Sequence, residues 1–172
     1  MANIENKNFL SPIGFQLSVQ KLPHVNYFCT SASIPDINLG QADLENTFIR
    51  LPIPGDKLTF GQLNLSFRVD EDLKNFSEIY NWMQSIGFPD NFAQRAPAQR
   101  ANEKNTTATT VYSDASLIIL TNQYKPNIEV KFLDMYPVSL GSLDFNVEST
   151  DVAYLSGEVT FAYRKYELNV LN

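Results

Sequence analysis

The chain has 172 residues, 44% of them apolar, 12% aromatic and 19% charged, and 13 Lys+Arg against 19 Asp+Glu leave a net charge of −6. That length predicts one globular domain that buries a core without disulfide or metal staples, and the acidic excess excludes a protein that coats nucleic acid by displacing counterions from phosphate. The single cysteine, Cys29, and single histidine, His24, exclude a disulfide framework and a multi-Cys or His-rich metal centre within one chain.

No apolar run approaches the ~20 residues of a transmembrane helix. The polar start Met1-Ala2-Asn3-Ile4-Glu5-Asn6-Lys7-Asn8 lacks the apolar stretch of a signal peptide. A soluble protein made in a cytoplasm, with no membrane insertion, is expected.

From Gly14 to Gln20, Phe15, Leu17 and Val19 alternate with Gln16, Ser18 and Gln20, which predicts a half-buried strand. Leu22-Pro23-His24 interrupts it, and Val25 to Ser31 reads as a second extended stretch. Ile34-Pro35-Asp36 marks a break. Asn46 to Leu51 reads as a strand, punctuated afterwards by Pro52, Pro54 and the turn Gly55-Asp56-Lys57. Proline belongs at sheet edges and bulges, so residues 38–60 are expected to form a projecting arm or hairpin. Gly61 to Val69 is the clearest strand, with Leu63, Leu65, Phe67 and Val69 on one face.

The period then changes. Asp70-Glu71-Asp72 fits a helix start, and Leu73, Phe76, Ile79, Tyr80, Met83 and Ile86 follow at helical spacing over about residues 71–86. Gly87 and Pro89 end the helix. Asp90 to Thr110, rich in Ala, Gln, Asn and Thr, reads as a long surface loop. Strands resume at Ala115–Leu120 and Asn127–Leu133, joined by the turn Tyr124-Lys125-Pro126-Asn127. Asp134-Met135-Tyr136-Pro137 is a corner. Ser142–Glu148 alternates Leu143, Phe145 and Val147 with Asp144, Asn146 and Glu148, and Leu155–Tyr166 is the last long strand. The fold class is therefore mainly β: an antiparallel sandwich or barrel with one packed helix.

Catalytic signatures fare poorly. Gly55-Asp56-Lys57 lacks the spacing and context of a phosphate loop. His24 and Cys29 belong to no nucleophile motif and read as a loop histidine and a half-buried thiol. The acids at 70–72 lack the ligand spacing of a calcium loop, and Trp82 sits at core spacing rather than in a basic groove. No catalytic residue, cofactor or metal is expected. One charge pattern remains. From Phe132 through Tyr163 there are Asp134, Asp144, Glu148, Asp151 and Glu158, and no Lys or Arg. This is either a solvated sheet face or a surface that repels polyanions.

Two blocks carry a family resemblance. Leu58-Thr59-Phe60-Gly61-Gln62-Leu63-Asn64-Leu65-Ser66-Phe67-Arg68-Val69-Asp70-Glu71-Asp72 is followed by a helix with Phe76, Tyr80 and Trp82. Phe132-Leu133-Asp134-Met135-Tyr136-Pro137 runs on to Gly141-Ser142-Leu143-Asp144-Phe145, and Gly157-Glu158-Val159-Thr160-Phe161-Ala162-Tyr163 closes the pattern. Their order, over about residues 14–88 and 112–167, resembles the tail tube proteins of contractile-tailed, T-even-type bacteriophages. The haemolysin-coregulated protein of type VI secretion shares that architecture.

The resemblance implies a structural, non-enzymatic protein in one domain, residues 1–172, whose N-terminal segment, residues 1–12, it does not cover. It implies hexameric rings that stack into the inner tube of the virion tail after assembly in the host cytoplasm. The partners implied are further copies of the chain, a sheath protein, and baseplate and tail-terminator proteins, with DNA passing through the lumen without specific binding. Under this reading Leu44, Phe48, Ile49, Arg50, Asp56 and Lys57 belong to an inter-ring arm. Asp144, Glu148 and Glu158 are the expected lumen-facing acids, since an acidic or neutral wall lets DNA slide. The alternatives are a baseplate hub or tube initiator, a tail terminator, a type VI secretion-like ring and, in a different class, a small-ligand-binding β-barrel.

Overall fold

The computed structural model describes residues 9–45, 47–87, 111–146 and 154–171. The expected surface loop 90–110 and Glu148 lie outside them. In chain order the elements are β1 (Phe15–Val19), α1 (Pro23–Phe28), β2 (Cys29–Ala32), β3 (Ile37–Glu45), β4 (Arg50–Phe60), β5 (Leu63–Arg68), α2 (Lys74–Gly87), β6 (Ser113–Leu120), β7 (Pro126–Leu140), β8 (Ser156–Ala162) and β9 (Lys165–Val170). Every strand pairing is antiparallel.

β7 organises the molecule. Its first half pairs with β6 and β9, and its last residues pair with β8, which continues through β5 to β2. The predicted corner at residues 134–137 is thus a bend inside one 15-residue strand. There Asp134 takes a positive φ of 54°, a conformation that costs an L-residue unless its surroundings hold it. They do: its amide donates to Asp114 Oδ1 at 3.2 Å, and its carboxylate pairs with Arg164 Nε at 2.9 Å. The bend folds one sheet into two layers, β1-β6-β7-β9 and β7-β8-β5-β2. Leu17, Val19, Leu117, Val130 and Phe132 from the first meet Leu63, Leu65, Phe67, Val159 and Phe161 from the second in one core.

α2 closes that core with Ile79 and Trp82 buried. The Trp82 indole donates to the Val111 carbonyl at 3.0 Å, which satisfies its one polar atom. Phe76, Met83 and Ile86 are half-buried as the helical stripe predicts, whereas Leu73 and Tyr80 are exposed. The helix begins at Lys74, later than the acids suggested, because Leu73 holds a φ of 55°. Asp70 still serves the start, accepting from the Asn75 amide at 3.4 Å. Asn75, fully buried, donates back to the Arg68 carbonyl at 2.6 Å and so ties the end of β5 to the helix.

Four expectations are corrected. Among the described residues there are two helices, not one: residues 23–28 are helical, with Pro23 in the first turn and Val25 buried. Residues 141–146 form no strand despite their alternation, and Phe145 is 77% exposed. The last long strand is two, β8 and β9, broken at Tyr163 and Arg164. Finally, the strand read over Asn46–Leu51 begins only at Arg50, and Gly55-Asp56-Lys57 is not a turn but part of β4.

Candidate assembly interface

β3 and β4 form a separate two-stranded sheet. It covers the residues read as an arm, and these contacts lie at its root: Gly61 donates to the Asp36 carbonyl at 3.0 Å, the Tyr166 hydroxyl donates to the Pro35 carbonyl at 3.2 Å, and the Phe60 ring lies 5.4 Å from that of Tyr166. Every residue of β3 is exposed, and all of β4 except Gly55 and Phe60. An isolated two-stranded hairpin is marginal in water, and an apolar one is an unsatisfied surface.

All six arm residues singled out from the sequence lie here. Leu44 is in β3, Phe48 and Ile49 are in the connection, and Arg50, Asp56 and Lys57 are in β4. Leu44 pairs with Leu51 and Ala42 with Ile53, an apolar distal face. Strand alternation puts Asp43, Glu45 and Arg50 on the other face, where Arg50 sits 3.7 Å from Asp43 and 3.6 Å from Glu45. Phe48 is 93% exposed. Asp56 and Lys57 fall in a bulge where the register jumps between Leu39 and Gln41. Gly55 is required there: a Cβ would meet the Gly40 carbonyl oxygen at 2.5 Å.

A second unpartnered apolar surface went unnoticed in the sequence. The inner face of the first sheet runs in rows across its strands. Val19, Ala115, Phe132 and Tyr166 form one, Leu17, Leu117, Val130 and Leu168 the next, and Phe15, Ile119, Ile128 and Val170 the last. The second sheet covers the first two rows up to β9, but Leu168 and Val170 remain 60% and 67% exposed. Beyond the last row a groove opens between Phe9 and Leu10 on one side and Thr121, Asn122, Lys125 and Ile128 on the other. Asn122 donates to the Phe9 carbonyl at 3.2 Å, fixing its wall. The available signal was the alternation of Tyr166, Leu168 and Val170.

Of the expected lumen acids, Asp144 and Glu158 are exposed. The structure does not bring them together on paired strands, since Asp144 lies in the strandless segment 141–146. Glu158 stands on the outer face of β8, opposite Ser66 of β5. Asn64 and Thr160 share that face and are hydrogen-bonded at 3.0 Å. Arg68, its cation among the described residues, leans over the Tyr154 ring.

The residues weighed for catalysis serve packing. The His24 imidazole engages the Glu78 carboxylate, which also accepts from the His24 amide at 3.3 Å and so joins α1 to α2. The Cys29 thiol donates to the Ser31 carbonyl at 3.5 Å, and burial pushes its pKa up, the reverse of what a nucleophile needs.

The phage tail tube protein family matches residues 4–169, nearly the whole chain. The chain belongs to that family. It is a structural tail tube protein and so a component of the virion tail, which decides against the small-ligand barrel. No curated protein matches it. Among solved structures it is similar to a chain of the sheath–tube complex of an extracellular contractile injection system, PVC, in the extended state. The identity is 14% and the TM-score 0.63, over 96% of this chain and 94% of that one. A chain of the PVC sheath/tube terminator in the extended state matches at 18% identity and TM-score 0.63, over 95% and 99%. A chain of the anti-feeding prophage tube-terminating cap matches at 15% and 0.61, over 99% and 97%. These likenesses establish that the tail tube protein shares their fold.

Proposed function

We propose that this tail tube protein closes into hexameric rings that stack into the inner tube of a contractile tail, assembled in the host cytoplasm, with no enzymatic activity. The observation that carries the reading is the hairpin of β3 and β4, whose apolar residues are exposed among the described residues. The arm reaches the neighbouring ring. A contact between two different surfaces of one chain propagates a filament rather than closing on itself. The sheath surrounds the tube, and baseplate and terminator proteins meet its ends; the likeness to tube and terminator chains supports these partners.

The small polar outer face of β5 and β8, with Glu158 on it, lines the lumen, and Asp144 lies toward the same channel. A wall whose described cation, Arg68, lies over the Tyr154 ring and shares the face with Glu158 offers phosphate little to displace counterions with, so DNA passes without being held. Deleting residues 40–56 is expected to leave the protomer folded and abolish stacking in negative-stain micrographs. Long tubes from that deletion would refute the role given to the arm. A ring that terminates the tube is the second reading, since the terminator chain matches at the same TM-score as the tube chain. Growth of the purified protein beyond one or two rings separates the two.

A further inference from the structure

Two apolar surfaces are exposed among the described residues, and they sit at opposite ends of the same sheet. The arm is rooted beside Tyr166. Five residues further along the strand, roughly 16 Å at the rise of an extended chain, the Leu171 amide donates to Asn127 at the other end. There lie the exposed Leu168 and Val170 and the groove walled by Phe9, Leu10 and Ile128.

We propose that this strip and groove are the acceptor for the arm of a second copy of this chain, an inference that rests on the reading of the arm as an inter-ring contact. The distal apolar face, Ala42, Leu44, Leu51 and Ile53 with Phe48 at the tip, lies against Leu168, Val170 and the groove. The placement agrees, because donor and acceptor at opposite ends of one sheet repeat head to tail without limit.

The area explains why such contacts need a ring. Two strands about 4.8 Å apart and about 36 Å long, the span of the 11-residue β4, present roughly 350 Å² on one broad face. That is less than half of the roughly 800 Å² per partner in a stable complex. A single arm therefore holds two free protomers poorly, whereas a closed ring presents several arms at once and gains by avidity.

The test compares full-length L168D/V170D with the deletion of residues 40–56, reading circular dichroism, melting and the fraction pelleted as tubes. Both substituted side chains are mostly exposed, so the double variant is expected to fold and melt as the wild type does. Its pelleted fraction should fall at least ten-fold, as in the deletion. In a C29S background, L51C/V170C should give a ladder of disulfide-linked multimers on mild oxidation, while each single variant stops at dimers. If the deletion blocks pelleting but L168D/V170D pellets normally and no ladder forms, the acceptor is elsewhere and the arm reading stands. If the deletion itself pellets normally, the arm reading fails and this inference with it.

Discussion

Leu44 and Leu51 face one another across the arm and are 53% and 43% exposed. In an isolated protomer, replacing both with serine removes surface that water already covers, so stability should change by no more than about 0.5 kcal/mol. Under the proposed stacking the same side chains become buried. Fully burying a leucine contributes about 1.5–3 kcal/mol, and about half of each side chain remains to be covered. The pair therefore contributes roughly 1.5–3 kcal/mol per arm, or about 10- to 150-fold in the constant for each inter-ring contact. Sedimentation of L44S/L51S against concentration measures this as a rise in the concentration above which tubes pellet. A threshold within about two-fold of wild type, with melting unchanged, would refute the reasoning, because the leucines would then remain in water in the assembly.

Asn75→Ala leaves the Arg68 carbonyl without its donor in a buried position; a loss of about 1–3 kcal/mol is expected, seen as a drop of roughly 2–12 °C in melting, and an unchanged melting temperature would contradict it. The Tyr163 hydroxyl is buried with no hydrogen-bond partner among the described residues, so Tyr163→Phe should melt no lower than wild type. Burial first, then the neighbouring Tyr166 and Asp36, pushes the Tyr163 pKa up from 10 to about 12. The unfolded chain therefore releases this proton before the folded one, and the associated stability is complete below pH 10 and lost as pH rises toward 12. Denaturant titrations at pH 9 and 11 should show that loss in wild type and a smaller one in Y163F; equal losses would remove Tyr163 as its source. Tubes of Glu158→Lys should retain double-stranded DNA at low salt and release it as salt rises, and failure to retain any would place Glu158 away from the channel.

Some of this was legible from the residues alone, and some was not. The core strands were, because Leu63, Leu65 and Phe67 and likewise Val159 and Phe161 alternate with polar residues that reach water. The arm was too, since Pro52 and Pro54 fit no central strand. What failed depended on partners distant in sequence. Residues 23–28 are too short to declare a helix by periodicity. Their helix is held by Glu78 at the His24 amide and by the Asn26 side chain, which bonds both backbone groups of Val19. Residues 142–146 alternate as a strand should, yet alternation specifies faces and not a neighbour to pair with, and Phe145 stays in solvent. The corner at Asp134–Pro137 was legible, but not that β7 runs on through it, which depends on the pairing of residues 136–140 with β8. Of the two surfaces proposed to meet, the apolar residues of β3 and β4 were visible in the sequence. Leu168 and Val170 become distinctive only once the register shows Leu168 continuing the buried row Leu17, Leu117 and Val130, and Val170 the half-buried row Phe15, Ile119 and Ile128.

Cryo-electron microscopy of the purified full-length protein tests the account most directly. It predicts stacked six-fold rings in which residues 37–60 of each protomer cross into the next ring. Protomers that stay monomeric at high concentration, or stacked rings whose arms fold back within their own ring, would contradict it.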